Sequence, residues 1–290
     1  MKNTENNLSK RIDVLGIPID TLTLKEAAEK LPIFIDKKAS IICTPNVEFI
    51  IKAQKDKDFL KILSKKSALN CADGIGPLWA ARFQTWPKPK IPVMREVVTI
   101  LEWLFSIVLI PLWPGLFKNP IPERISGSDF VWTIARFAAD NNYKIFLLGG
   151  APTVAERASL SLQTQIYNLR IAGIHSGSPK DTPEIIEAVN KSRADIILVA
   201  FGAPKQEKWL AENLSKTTCK IGIGLGGTFD FIAEMKKRAP IWMQRSGLEW
   251  LYRLFQEPGR LGRQFSIPKF MFLVLINQLS AKKCIDKTQL

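Results

Sequence analysis

Three apolar runs in this chain end in almost the same way: IFLLGGAP (145–152), ILVAFGAP (197–204) and IGIGLGGTF (221–229). Each is a short stretch of Ile, Leu, Val and Phe without polar alternation, closed by a glycine turn. Strands buried on both faces read as such continuous runs, and strands that alternate with helices build a mainly parallel sheet. The rest of the chain has the same rhythm. RIDVLGIPID (11–20) reads as a short strand, followed by a helix from about Thr23 with Glu26 completing a capping box. SIICT (40–44), SALNC (67–71) and RIAGIHSG (170–177) read as strands, and a helix capped at Asp181 or Thr182 follows the last of them. The expectation is an α/β, Rossmann-like sheet with helices on both faces, plus a C-terminal helical appendage.

In open α/β sheets the ligand lies beyond the carboxyl ends of the strands. Thr44, Asp73 and the three glycine turns are therefore expected to converge on one crevice. Helix N-terminal N–H groups after such turns suit a phosphate or a sugar, which points to Gly149, Gly150, Gly202, Gly226 and Gly227. Ordinary turn chemistry accounts for the Gly-Ala-Pro pieces equally well. It does not account for Lys205, Gln206 and Glu207, three hydrogen-bonding residues in sequence after the second turn. Gly222-x-Gly224-x-x-Gly227 also fits the dinucleotide pattern, but its first glycines fall inside the strand and a Lys/Arg-rich segment follows. Glycines that let a strand pack closely explain it as well. Asp73, between an apolar strand and Gly74, is either a turn-initiating aspartate or a carboxylate placed to take a proton from a hydroxyl. Asp129, Asp230 and the lone His175 are its rivals.

Composition narrows the partners. The 290-residue chain carries a formal charge of +14, which attracts anionic lipid, nucleic acid or phosphorylated substrates. No recognition-helix, RNP or zinc-finger pattern supports nucleic acid. Cys43, Cys71, Cys219 and Cys284 lie far apart and there is one histidine, so neither a zinc site nor a disulfide framework is expected. Residues 1–13 contain no apolar signal-peptide core, which fits a reducing cytosol.

Two segments fit a soluble enzyme poorly. VVTILEWLFSIVLIPLWPGLF (97–117) has one charge, Glu102, and its helical run is expected to break at Pro111 and Pro114. A membrane span, an interfacial or re-entrant hairpin and a buried helix are all compatible with it. Further on, Arg245, Arg253, Arg260 and Arg263 recur among Trp242, Trp250, Tyr252, Phe255 and Phe265. On one helix they form an arginine stripe beside aromatic rings, suited either to covering the core or to an anionic membrane surface. Ile267–Leu279 follows as an apolar segment too short to span, suited to the interface. The boundary between the catalytic part (1–240) and the appendage (241–290) is placed at Pro240.

Taken together, TPNVEF (44–49), ADGIGP (72–77), ERISGSD (123–129), FLLGGAP, VAFGAPKQEKW, GLGGTFDF and the 238–265 segment resemble the WecG/TagA/CpsF glycosyltransferase family, in the same order over roughly residues 11–266. The resemblance implies inverting transfer of a sugar, often N-acetylmannosamine or its uronate. The donor would be a UDP-sugar and the acceptor a polyprenyl-diphosphate-linked sugar at the cytoplasmic membrane face, with no metal or other cofactor. It implies Asp73 as base, Thr44 and Gln206 at the sugar, Asp230 near the uridine, and Arg253, Arg260 and Arg263 closing over the diphosphate. Asn46, Arg124, Asp129, Lys205 and Glu207 stand in the same motifs and are expected at the substrates. A nicotinamide enzyme using Gly222–Gly227 and a non-enzymatic basic membrane-binding protein are the alternatives. A homo-oligomer is compatible with the sequence. The apolar insert between Trp79 and Pro120 is longer than the family pattern, which bears on the acceptor and on membrane attachment.

Overall fold

A computed structural model describes residues 10–287, except the side chains of Arg260 and of residues 281–287. Six strands form one sheet: β3 (Ser40–Cys43), β4 (Ser67–Asn70), β5 (Lys144–Gly149), β6 (Arg170–His175), β7 (Ile196–Ala200) and β8 (Ile221–Gly224). Their order is β4-β3-β8-β7-β5-β6 and every pairing is parallel. Alternate residues feed opposite faces. Ile196 and Leu198 join one apolar cluster, Ile197 and Val199 the other, and all four are fully buried. Burial on both sides is why these strands are apolar at every position. Each such side chain contributes roughly 1.5–3 kcal/mol.

The N-terminal strand divides in two. β1 (Arg11–Val14) and β2 (Ile17–Asp20) form an antiparallel hairpin, because Leu15 and Gly16 both adopt positive φ. The helix Leu24–Glu29 starts as expected, with the Thr23–Glu26 capping box formed. The helix Thr182–Ser192 follows a short turn, Pro179–Asp181, whose own capping box joins Ser178 and Asp181.

The apolar insert departs from its expected shape. Its helix begins earlier, at Pro92, and runs to Leu112, with Pro111 taken into the last turn; a short turn at Pro114–Phe117 follows. Proline is well placed at the start of a helix, where its missing N–H would be unpaired anyway. Among the described residues no helix is long and apolar enough to cross a membrane.

The arginine-rich segment is not one helix either. Gly247, at φ +75°, and Pro258 divide it into Ile241–Arg245, Glu249–Gln256, the turn Pro258–Arg260 and Leu261–Gln264. The arginines therefore do not share one stripe. Ile267–Leu279 belongs to the long C-terminal helix, Ser266–Lys287, which packs on the helices Val47–Ala53, Ile75–Thr85 and Pro92–Leu112. Phe270 and Val274 are buried in the core, with the Phe270 ring 6.1 Å from that of Trp79. This segment helps build the core as well as facing outward.

Candidate active site

Because every strand of the sheet points the same way, the segments that leave their carboxyl ends share one rim. Along it come Asp73 after β4, Thr44 and Asn46 after β3, Gly226 after β8, Gly202 after β7 and Gly149 at the end of β5. From Asp73 to Gly149 is four strand spacings, about 19 Å. His175 closes β6, on the edge opposite Asp73 and about 24 Å away by the same spacing. Its Nδ1 accepts a local hydrogen bond from the Gly177 N–H at 3.0 Å.

Asp73 is the chemical centre of a cavity of about 400 Å³. It is held on both sides: its N–H donates to the Pro45 carbonyl at 3.0 Å, and the Ile125 N–H donates to the neighbouring Ala72 carbonyl at 2.8 Å. Gly74 turns the chain at φ +85° into the helix Ile75–Thr85, a conformation that disfavours other residues. The Asn46 Oδ1 accepts from the Phe49 N–H at 3.0 Å, capping the helix Val47–Ala53, which leaves its amide nitrogen for the Asp73 carboxyl. Burial and the Glu249 carboxylate push the Asp73 carboxyl up to about 6, against Arg253, Arg124 and the Asn46 hydrogen bond. A carboxylate with that affinity for a proton is a competent base near neutral pH.

Arginines from distant segments surround it. Arg124, Arg253 and Arg263 all line the cavity with Asp73 and Asn46. Glu249 orders two of them: Arg124 Nη1 lies 3.2 Å from its Oε2, and Arg253 pairs with its Oε1. The Arg253 guanidinium also lies over the Phe231 ring, 4.8 Å from its centre. Its Nε is buried without a hydrogen-bond partner among the described residues. Arg263 is more exposed and lies 4.0 Å from Glu48. The side chain of Arg260 lies outside the described residues.

The glycine turns are tied together by one side chain. Gln206 Oε1 accepts from the Gly202 N–H at 3.0 Å and from the Gly226 N–H at 2.9 Å, while its Nε2 donates to Glu207 at 2.7 Å. Gln206 and Glu207 are buried behind the turns and do not line the cavity. Burial pushes the Glu207 carboxyl up to about 7. Lys205 is exposed, Thr44 is buried, and Asp230 pairs with Lys236 at 3.5 Å. Asp129 is held by Arg238, away from the Asp73 cavity lining. The Asp-x-Asp sequence at Asp56–Asp58 is also outside that lining: Asp56 caps a helix and pairs with Lys208 at 2.7 Å.

The Glycosyl transferase WecG/TagA/CpsF family profile matches residues 12–107 and 105–284, two stretches that meet inside the insert helix. This chain belongs to the WecG/TagA/CpsF glycosyltransferase family. Among its relatives are N-acetylglucosaminyldiphosphoundecaprenol N-acetyl-beta-D-mannosaminyltransferases of Staphylococcus aureus strains MRSA252 and MW2. Each is 26% identical over 282 residues, covering 96% of this chain and 98% of the relative.

Two residues that order these side chains were not among those singled out in the sequence. Glu249 stands four residues before Arg253, a helical pairing that was legible locally. Arg238 reaches Asp129 across 109 residues of chain, and no local pattern announces that.

Proposed function

We propose that this family member is an inverting hexosyltransferase. It moves N-acetylmannosamine or a related sugar from a UDP-sugar to a polyprenyl-diphosphate-linked sugar, in the synthesis of a cell-surface polymer. The observation that carries the reading is the half-buried Asp73 carboxyl, bonded by Asn46, in one cavity with Arg124, Arg253 and Arg263. Membership of a glycosyltransferase family and the acceptor named in the S. aureus relatives support it.

In this mechanism Asp73 takes the proton of the acceptor hydroxyl as its oxygen attacks the anomeric carbon. The bond from that carbon to the UDP oxygen breaks on the opposite face, and UDP leaves with the electron pair. Positioned base catalysis of this kind contributes about 10²–10⁴-fold. Arg253, whose buried Nε has no hydrogen-bond partner among the described residues, with Arg263 and Arg260, meets the charge of the diphosphate. No metal or cofactor is assigned a step. Gln206 and Glu207 act from behind, holding the turns of Gly202 and Gly226 against the donor, with the Gly149–Gly150 turn, Lys205, Gly227 and Asp230 along the same rim. The enzyme works as a peripheral protein on the cytoplasmic face of the plasma membrane.

A nicotinamide enzyme is disfavoured by packing. Gly222 and Gly224 lie within β8, and a Cβ there would meet Leu210 at 2.5 Å and Gln206 at 2.4 Å. These glycines serve strand–helix contact. Calorimetry with UDP and with NAD separates the readings: UDP binding alone is expected, NAD binding alone ends the transferase reading, and binding of neither favours a membrane adaptor. A panel of UDP-sugars against a short-chain lipid-diphosphate acceptor then identifies the donor.

A further inference from the structure

The insert helix Pro92–Leu112 is built inside out. A helix on a water-facing surface turns apolar residues inward and polar ones outward. Here Thr99 and Ser106 are buried, Ser106 at 0% exposure, and the Ser106 hydroxyl accepts from the Trp79 indole at 2.9 Å. Leu101, Leu104, Phe105, Val108 and Leu112 face outward, Phe105 with 68% of its surface open. On the neighbouring C-terminal helix Phe272 and Ile276 are exposed as well. The two helices are joined where the Trp103 indole donates to the Met271 carbonyl at 2.9 Å. A contiguous apolar surface of this kind marks a partner that is itself apolar.

The cavity that holds Asp73 runs to this place. Its lining also includes Ile107, Ile110 and Pro111 of the insert helix and Ile267, Phe270 and Met271 of the C-terminal helix. One cavity therefore joins a base and arginines to an apolar wall. A nucleotide sugar has no use for that wall. A lipid-linked sugar uses both: its hydroxyl at Asp73, its hydrocarbon against the six apolar side chains.

We infer that the cleft between the insert helix and the C-terminal helix is the seat of the acceptor's first isoprene units, with the outward face of the insert helix bedded in the acyl layer. The occupant is a polyprenyl chain. The inference rests on the proposed lipid-diphosphate acceptor, but the occupancy of the cleft can be read without any turnover.

The first experiment uses the full chain and a geranylgeranyl diphosphate bearing a photoreactive diazirine on its tail. Crosslinks are expected in peptides 107–111 and 267–271, and Ile110→Trp is expected to reduce them about tenfold. Crosslinks confined to other surfaces, or unchanged in Ile110→Trp, overturn the inference. The second uses lipid-linked sugar acceptors of one to three isoprene units, without detergent or vesicles and below their aggregation concentrations. For the wild type KM is expected to fall by about tenfold or more as the tail lengthens, since buried hydrocarbon adds affinity. Ile110→Trp flattens that dependence, and a wild-type KM indifferent to tail length overturns the cleft. Because Ile110→Trp alters packing, Ile267→Trp is run beside it from the other wall, with circular dichroism as the check on folding. Labelling of the cleft without sugar transfer to any acceptor leaves the cleft standing and sinks the transferase reading. Transfer without labelling does the reverse. Should Phe105→Asp convert a dimeric wild type to monomer and leave liposome binding unchanged, the outward face is a protein interface and the lipid placement fails.

Discussion

Arg238 closes on Asp129 with both terminal nitrogens, Nη1 at 2.5 Å and Nη2 at 2.9 Å, and the second also reaches the Ser126 hydroxyl at 3.2 Å. Desolvation alone would raise the Asp129 carboxyl, yet the bonds from Arg238 and Ser126 hold it below the ordinary value. A depressed carboxylate stabilises the fold above its unfolded pKa near 3.9, and that contribution is lost as pH falls through the lower folded value. Arg238→Ala should therefore destabilise the protein at pH 7 by about 1–2 kcal/mol, between the values for exposed and buried pairs. The difference from wild type should shrink below pH 4. Thermal melts of both proteins from pH 3 to 7 check this; a constant gap would show that the pair contributes packing rather than charge.

Asp73 makes a prediction about rate. With its carboxyl raised to about 6, kcat/KM should climb with pH through that region as the base ionises. Asp73→Asn should lower turnover by about 10²-fold or more and leave UDP affinity nearly unchanged. Near-normal turnover would move the role of base to another group, with Asp129 and Asp230 the first to test.

The same residue predicts a change in stability of the opposite sense. A carboxyl whose folded pKa is raised from 3.8 to about 6 favours its protonated form in the fold. The stabilisation it brings is complete below the unfolded pKa and is lost as pH rises through 6. Asp73→Asn, which is neutral throughout, should match the wild type near pH 3. Above pH 6 it should be more stable, on the order of 2 kcal/mol. An inactive variant that melts higher at neutral pH is the expected result, and a lower melt there contradicts it.

Gln206 and Glu207 should respond differently to substitution. Gln206→Ala leaves the Gly202 and Gly226 N–H groups without their shared acceptor, each costing about 1–3 kcal/mol where water cannot replace it. UDP affinity should fall with it. Glu207→Gln keeps an oxygen for the Gln206 amide and removes a charge that burial disfavours. The variant should therefore equal the wild type near pH 3.5, below the unfolded pKa, and exceed it in stability above pH 7. Urea titrations at the two pH values distinguish them.

Much of this was legible because the sheet is buried on both faces, so strands such as Ile196–Ala200 carry apolar residues at every position and end in recognisable turns. Asp73, Asn46, Arg124, Arg253 and Arg263 line one cavity, whereas Thr44 and the three glycine turns lie outside that lining. Other features needed the third dimension. Arg238 and Asp129 meet only because the chain folds back after β8, and Gln206, expected at the sugar, is found buried between its two glycine partners. The local signals at Gly16, Pro92, Gly247 and Pro258 were present but outweighed by the apolar or basic runs around them. The insert helix deceived composition most, since Thr99 and Ser106 face inward while Leu104, Phe105 and Val108 face out.

The double bond to Gln206 Oε1 also bears on how such an enzyme can be altered. The turns after β7 and β8 are separated by more than twenty residues, yet one oxygen sets the position of both. Grafting a foreign turn at 201–205 to change donor preference would carry away the residue's neighbours while leaving the 225–227 turn shaped for the old ones. The interchangeable unit is the pair of turns together with the helix Lys205–Asn213 that pins them, and a graft drawn along those borders keeps the rim intact.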